Sequence, residues 1–330
     1  MSVVRWAYTG FYARVGGHTE AMKNCTGLFC AGILSFASVA CARPAPDCPP
    51  AEGVALQVLG SGGPIADDNR ASSGYIVWVD GRSRVLVDAG GGTFLRFGEA
   101  GARFTDLDFV GLSHFHTDHS ADFPALLKSG NFSGRERPLP VAGPGPGGPF
   151  PGLDAWLASL LAAGSGAYGY LSGYLDGSGG LVALLPREID RETDEPVRVL
   201  DGEITVDALP VPHGIVPALG FRVSVAGVSI VFASDQNGSA DAFKEFARGA
   251  SLLVMHMPVP EDATGTALQL HARPSRVARI ANDAGAGTLV LSHFMARSLR
   301  DLDANVDVVR AAYEGRVVVA EDLACVAVAD

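Results

Sequence analysis

The chain has 330 residues, 48% of them hydrophobic and 18% charged, enough for one large core or for two fused similar halves. Its formal net charge is −11, with no basic cluster or Arg/Lys stripe to relieve it, which repels phosphate backbones and argues against a long nucleic acid as substrate. Forty-one glycines and 20 prolines between recurring apolar runs indicate many turns and a loop-rich rim, not disorder.

In chain order, Met22 to Ala42 joins a lysine to a short apolar core and ends in small residues, the make-up of a secretory signal. It is too short and too rich in Gly and Ser for a membrane span. Residues 1–21 then read as an over-extended start, and the Pro-rich stretch 43–53 as a linker to a domain over 54–330. Cleavage after Ala42 would release an exported, periplasmic or extracellular protein. Attachment of lipid at Cys41 is the alternative, because Ser-Val-Ala-Cys resembles a lipobox with Ser38 in place of the large aliphatic residue. Cys48 and Cys325 are free to pair in an oxidising compartment or to remain as thiols.

Val54 to Pro64 reads as a strand running into a glycine turn, and the absence of a following Gly-Lys-Ser/Thr excludes a phosphate cradle. Gly74 to Val79 and Ser83 to Val87 form a hairpin about Asp80-Gly81, and Asp88 closes it. The apolar run Leu107 to Leu112 is a buried strand, and Ala121 to Ser129 a helix. Leu139 to Gly143 is another strand, followed by a segment of Gly and Pro. Trp156, Tyr168, Tyr170 and Tyr174 are candidates for a hydrophobic substrate wall, or else cover a helix. Further strands are expected over Ile204 to Val211, Leu219 to Val225, Val228 to Ala233, Ser251 to His256 and within Gly315 to Val328. Helices are expected over Pro274 to Ala284 and Asp301 to Tyr313. His256, at a strand mouth, reads best as a satisfied core histidine.

Directly after the strand Leu107 to Leu112 stand His114, His116, Asp118 and His119, three of the chain's 8 histidines within six positions. Side chains two apart on an extended segment share a face, so His114 and His116 point together, and a turn at Thr117 swings Asp118 and His119 toward a neighbouring point. Imidazoles with a carboxylate suit Zn²⁺ better than Ca²⁺ or Mg²⁺, and one loop can feed two metal positions.

The pattern His114-x-His116-x-Asp118-His119 after a strand resembles the signature of the metallo-β-lactamase superfamily, and the resemblance runs from about Val54 to the C-terminus. Asp88 after Arg84-Val-Leu-Val, His213 in Pro-Val-Pro-His-Gly, Asp235 ending Ile230 to Asp235 and His293 in Leu-Val-Leu-Ser-His follow in the family's order. The resemblance implies a four-layer αβ/βα sandwich of two mixed β-sheets with outer helices. It implies two divalent ions, zinc the favoured identity, with His114, His116 and His213 on the first, Asp118, His119 and His293 on the second, and Asp235 bridging. Asp88 would orient groups of the metal loop without touching metal. Asp235 points to the ribonuclease Z, phosphodiesterase and arylsulfatase-like branch, with Asp118 and His271 as catalytic residues and His271 beside the metals rather than on them. The interval between His213 and Asp235 leaves no room for the tRNA-gripping arm of that branch. The expected substrate is a small phosphodiester or aryl sulfate ester, with no nucleic acid as partner, a homo-oligomer being open. A lactonase or β-lactam hydrolase is the alternative.

Overall fold

The computed structural model describes residues 48–328; the expected signal, the lipid-anchor position and the start before Met22 lie outside the described residues. The strands run in chain order as β1 (Val54–Gly60), β2 (Gly74–Val79), β3 (Arg82–Ala89), β4 (Phe109–Gly111), β5 (Leu139–Pro144), β6 (Leu184–Ile189), β7 (Val197–Leu200), β8 (Thr205–His213), β9 (Val216–Val225), β10 (Val228–Phe232), β11 (Leu252–His256), β12 (Thr288–Ser292), β13 (Arg316–Val319) and β14 (Cys325–Ala327). They form two seven-stranded sheets, ordered β14-β1-β2-β3-β4-β5-β6 and β13-β12-β11-β10-β9-β8-β7. Both are mixed in the same way. From β14 to β3 the ladders are antiparallel and from β3 to β6 parallel; from β7 to β10 they are antiparallel and from β10 to β13 parallel.

Alternation along the strands builds the layers. On β2, Tyr75, Val77 and Val79 face the second sheet and join Phe221, Ile230 and Val254 in the central core. Ile76 and Trp78, on the opposite face, pack with Phe97, Leu127 and Leu157 beneath the helices Thr93–Glu99, Phe123–Gly130 and Leu153–Leu161. The outer face of the second sheet is covered by the helices Asp241–Phe246, Pro274–Asp283 and Leu302–Ala312 through Phe243, Val277, Ile280 and Val309. The four layers are therefore helix, sheet, sheet, helix, the architecture that the resemblance implied.

Local chemistry accounts for the joints. Asp80 and Gly81 both take positive φ, 48° and 75°, as the two-residue turn between β2 and β3 requires. The strand over Leu107 to Leu112 shrinks to Phe109–Gly111, and Asp108 just before it is engaged by Arg84 and by Arg137 at 2.8 Å. The helix expected from Ala121 begins at Phe123, where Pro124 sits in its first turn. Cys48 and Cys325 form a disulfide with their Cα atoms 5.8 Å apart, fastening the segment before β1 to β14. Only Gly214 and Ile215 separate β8 from β9, so no arm rises between His213 and Asp235.

Candidate metal centre

The site lies where strand ends of both sheets meet. His114 follows β4, His213 ends β8, Asp235 follows β10 and His293 follows β12. Three residues beside or within it, Asp88, Ser234 and His293, hold positive φ of 60°, 56° and 56°. Such backbone costs on the order of 1 kcal/mol per residue and persists where surrounding structure holds it in place.

Asp88 organises the histidine loop. Its Oδ1 accepts the Ser113 backbone N–H at 2.7 Å, and its Oδ2 accepts the Ser113 hydroxyl at 2.9 Å and lies 2.8 Å from His119 Nδ1. The His119 proton therefore sits on Nδ1, leaving Nε2 to face inward. The Ser113 hydroxyl, having given its proton to Asp88, accepts from His114 Nδ1 at 3.2 Å, which leaves His114 Nε2 inward too. His213 is set in the same way by the Leu270 carbonyl, which accepts its Nδ1–H at 2.9 Å; its Nε2 is buried without a hydrogen-bond partner. A single helical turn, Thr117–Ser120, carries Asp118 and His119, where a simple turn at Thr117 was expected.

Two sets of donors result. His114, His116 and His213 gather their ring nitrogens within 4.8 Å of one another, with His114 Nε2 3.0 Å from His116 Nδ1. His293 Nε2 lies 3.1 Å from His119 Nε2 and 3.2 Å from Asp118 Oδ2. Asp235 stands between them, its Oδ2 3.7 Å from His213 Nε2 and its Oδ1 3.4 Å from His293 Nε2. All seven expected ligand positions thus converge, and His256 and His271 lie in the same clusters, His256 with His119, Asp235 and His293, and His271 with His213 and Asp235. The donor chemistry fits divalent ions: ring nitrogens about 2.0–2.1 Å from a tetrahedral zinc stand roughly 3.3 Å apart, close to the spacings found.

The charges point the same way. Burial alone would raise Asp118 and Asp235, yet both are held below the ordinary carboxylate range, Asp118 chiefly by His119 and Asp235 chiefly by His293 and His271. His119 is pushed up to about 9, since Asp88 and Asp118 outweigh its burial. A buried set of carboxylates that draws protons onto its imidazoles is one that favours cations. His114 and His116 move the other way, lowered by burial, and so offer neutral nitrogens.

His256 is satisfied, as its sequence suggested, but in the service of the site. Its Nδ1 lies 2.7 Å from Asp235 Oδ1 and its Nε2 3.1 Å from the Tyr75 hydroxyl, which lies 3.0 Å from Ser292 Oγ. Burial, helped by His293, lowers His256 to about 3, so the ring is neutral, donates from Nδ1 to Asp235 and accepts from Tyr75 at Nε2. Both nitrogens are occupied, which removes His256 from the ligand set and makes it the group that aims Asp235. Tyr75 comes from the first sheet and His256 from the second, a pairing across the central core that no local pattern announces.

The centre opens into a cleft of about 540 Å³ walled by Pro64, Phe115, Leu270, His271, Met295 and Arg297. His271 is 8% exposed, its Nδ1 3.8 Å from Asp235 Oδ1 and without a hydrogen-bond partner. Burial lowers it to about 4, against the pull of Asp235, so it stands as a neutral imidazole beside the two donor sets. The expected aromatic wall is elsewhere. Trp156 stacks on Phe115 at 4.8 Å and Tyr174 is buried, donating to the Leu127 carbonyl at 2.7 Å. Tyr168 and Tyr170 are exposed, and none of the four lines the cleft. The aromatic residue at the mouth is Phe115, inside the histidine motif and overlooked for that reason.

Residues 83–294 match the family model described as beta-lactamase superfamily domain. A ribonuclease Z of Mycobacterium bovis (strain BCG / Pasteur 1173P2) is 31% identical over 252 residues, covering 73% of this chain and 85% of that protein. Among solved structures, the short form of human tRNase Z superposes with a TM-score of 0.64 at 20% identity, over 84% of this chain and 100% of that one. The metallo-beta-lactamase fold protein YhfI of Bacillus subtilis does so with a TM-score of 0.61 at 24% identity, over 83% and 99%. These likenesses overturn the expectation that nucleic acid is no partner, because relatives sharing most of the chain are ribonucleases by name. The expectation rested on net charge, which averages over a whole surface and leaves the local field around the cleft unread. The chain belongs to the beta-lactamase superfamily.

Proposed function

We propose, with membership of the beta-lactamase superfamily as the premise, that this chain is an exported phosphodiesterase that holds two divalent ions, zinc the favoured identity, and cleaves phosphodiester bonds of nucleic acids or their fragments. The observation that carries the reading is Asp235, buried between the two sets of imidazoles and within 3.7 Å of a nitrogen from each. When bound, divalent ions supply Lewis acidity, lowering the pKa of water toward about 7 and drawing charge off phosphoryl oxygens.

The chain's residues do the rest. His114, His116 and His213 would hold one ion, and Asp118, His119 and His293 the other, with Asp235 shared. His256 keeps Asp235 pointed between the sets through the 2.7 Å bond at Nδ1. Asp118, a carboxylate at the cleft wall, can also take up the proton released as water attacks. Neutral His271, beside the donor sets, is placed to hydrogen-bond a phosphoryl or departing oxygen, and Arg297 adds positive charge on the same wall. Phe115 and Met295 exclude water from the apolar side.

Export is supported by the signal-like composition of residues 22–42 and by the Cys48–Cys325 disulfide, a bond that persists in oxidising compartments. The test is metal analysis of the full chain, followed by turnover of bis(p-nitrophenyl) phosphate and a short RNA, with p-nitrophenyl sulfate and nitrocefin as controls. About two zinc equivalents and cleavage of the phosphodiesters are expected. Full zinc occupancy with neither phosphodiester cleaved would sink the reading.

A further inference from the structure

Next to the metal cleft, and sharing His271 with it, lies a second cleft of about 310 Å³ lined by Asn237, Arg273, Arg276 and Arg279. The three arginines stand at the start of and along the helix Pro274–Asp283, three positions apart. That spacing keeps them on neighbouring turns of one face, spread over roughly 9 Å of helix axis. They form the Arg stripe that composition alone did not disclose.

No direct ion pair closes on the stripe: among the described residues no carboxylate lies within 4.0 Å of any of the three. Two acids stand near without forming an ion pair to the stripe: Glu261 is turned onto Ser275 of the groove wall, accepting its backbone N–H at 2.8 Å and its hydroxyl at 2.6 Å, and Asp241 pairs with Lys244 at 2.8 Å while also feeling the charge of Arg276. Backbone carbonyls only brace two of the arginines, Arg273 by Ala263 at 2.7 Å and Arg276 by Gly238 at 3.3 Å. The Arg273 Nε is buried without a partner, and His271, more than nine-tenths buried, stands between the two clefts with its unpartnered Nδ1 toward Asp235 on the metal side. Unmatched guanidinium groups clustered on a chain with formal net charge −11 call for an anion.

We infer that this groove is a subsite for the sugar-phosphate backbone of a single nucleic-acid strand, holding the phosphates that flank the one in the metal cleft. The inference deepens the phosphodiesterase reading and rests on it for the orientation of the strand. A row of guanidinium groups that runs up to His271, a neutral hydrogen-bonding group on the wall of the reaction cleft, matches a chain of phosphates better than one isolated anion. Sequence is not read there, since backbone contacts position a strand without specifying its bases.

The test uses the zinc-loaded full chain and a fluorescein-labelled single-stranded oligonucleotide with cleavage-resistant phosphorothioate linkages, followed by anisotropy across a salt series. Wild type is compared with Arg276→Gln/Arg279→Gln, which keeps much of each side-chain stem, after matching thermal unfolding curves confirm folding. The variant is expected to bind on the order of tenfold more weakly at low salt, with the slope of log K against log salt reduced by about 1.4 for two lost contacts. An oligonucleotide with neutral methylphosphonate linkages should bind both proteins equally poorly, and millimolar inorganic phosphate should not displace the charged strand. Equal affinity and slope in the two proteins, no binding by wild type, or displacement by inorganic phosphate would each overturn the inference. Cleavage is not read in this assay, so a protein that binds the strand but cleaves nothing would refute the phosphodiesterase reading while the groove keeps its role as a strand-binding subsite.

Discussion

Replacing Asp88 by Asn tests whether one buried carboxylate sets the tautomer of a metal-site histidine. Asp88 holds φ at 60°, a conformation that Asn tolerates nearly as well, and the two side chains have almost the same shape. The Asn carbonyl can keep the bond from the Ser113 backbone N–H, now 2.7 Å long. The amide then faces His119 Nδ1, 2.8 Å away, and an NH₂ group cannot accept the proton that Nδ1 carries. His119 must move that proton to Nε2, the atom 3.1 Å from His293 Nε2, which closes the lone pair offered to metal. Loss of such an orienting bond lowers metal affinity by about 10–100-fold, or roughly 1.4–2.7 kcal/mol. Competition against a chelator of known zinc affinity measures it, with urea unfolding of the metal-free forms as a control for folding. Unchanged zinc affinity in Asp88→Asn would refute the tautomer argument.

His271→Ala should lower phosphodiester turnover by about 10²–10⁴-fold with zinc content intact; loss of a zinc equivalent would make His271 a ligand instead. Stripping metal should abolish turnover and lower the melting temperature by on the order of 10 °C, the shift given by about 4 kcal/mol of binding at a thousandfold excess over Kd. A calorimetric scan with and without zinc that shows no shift would argue against the buried carboxylates as a cation site. Cys325→Ser should cost about 2–5 kcal/mol, because the bond closes a loop spanning a sequence separation of 277. Urea midpoints that coincide with and without the bond would show that β1–β14 pairing alone suffices. Tyr75→Phe should reduce turnover severalfold by loosening His256 and hence Asp235, while Asp235→Asn should remove metal outright; metal analysis of the two variants separates these effects.

Most strands and the metal loop were legible because each rests on a local pattern, whereas their assembly into two sheets came from the family resemblance and the strands Leu184–Ile189 and Val197–Leu200 were not anticipated. Period-two strands ending in glycine, the Asp80-Gly81 turn and the packing of four ligand side chains into six positions all speak within a few residues. The helix Leu153–Leu161 carried its own signal in buried Leu153, Leu157 and Leu161 at four-residue spacing, but Gly and Pro on either side masked it. The Tyr75–His256–Asp235 chain was beyond reach, since 181 positions separate its first two members and their meeting depends on how two sheets pack. The arginine groove was missed for another reason: a sum over all charges hides three like charges on one helix face. Trp156 and Tyr174 follow the second of the two readings open in the sequence, packing rather than walling the cleft, because large aromatic rings near a Gly-rich segment are as useful to a core as to a cleft.

The donors are divided between the two halves of the chain. His114, His116, Asp118 and His119 come from loops of the first sheet, and His213, Asp235 and His293 from the second. Neither half carries a complete coordination shell, so cations bound between them would act as rivets across the seam. Metal occupancy then becomes a gauge of whether the two halves have docked: fragments cut in the connection between β6 and β7, once the Cys48–Cys325 bond that still joins them is reduced, should each fail to hold the ions and should bind them again only when reunited.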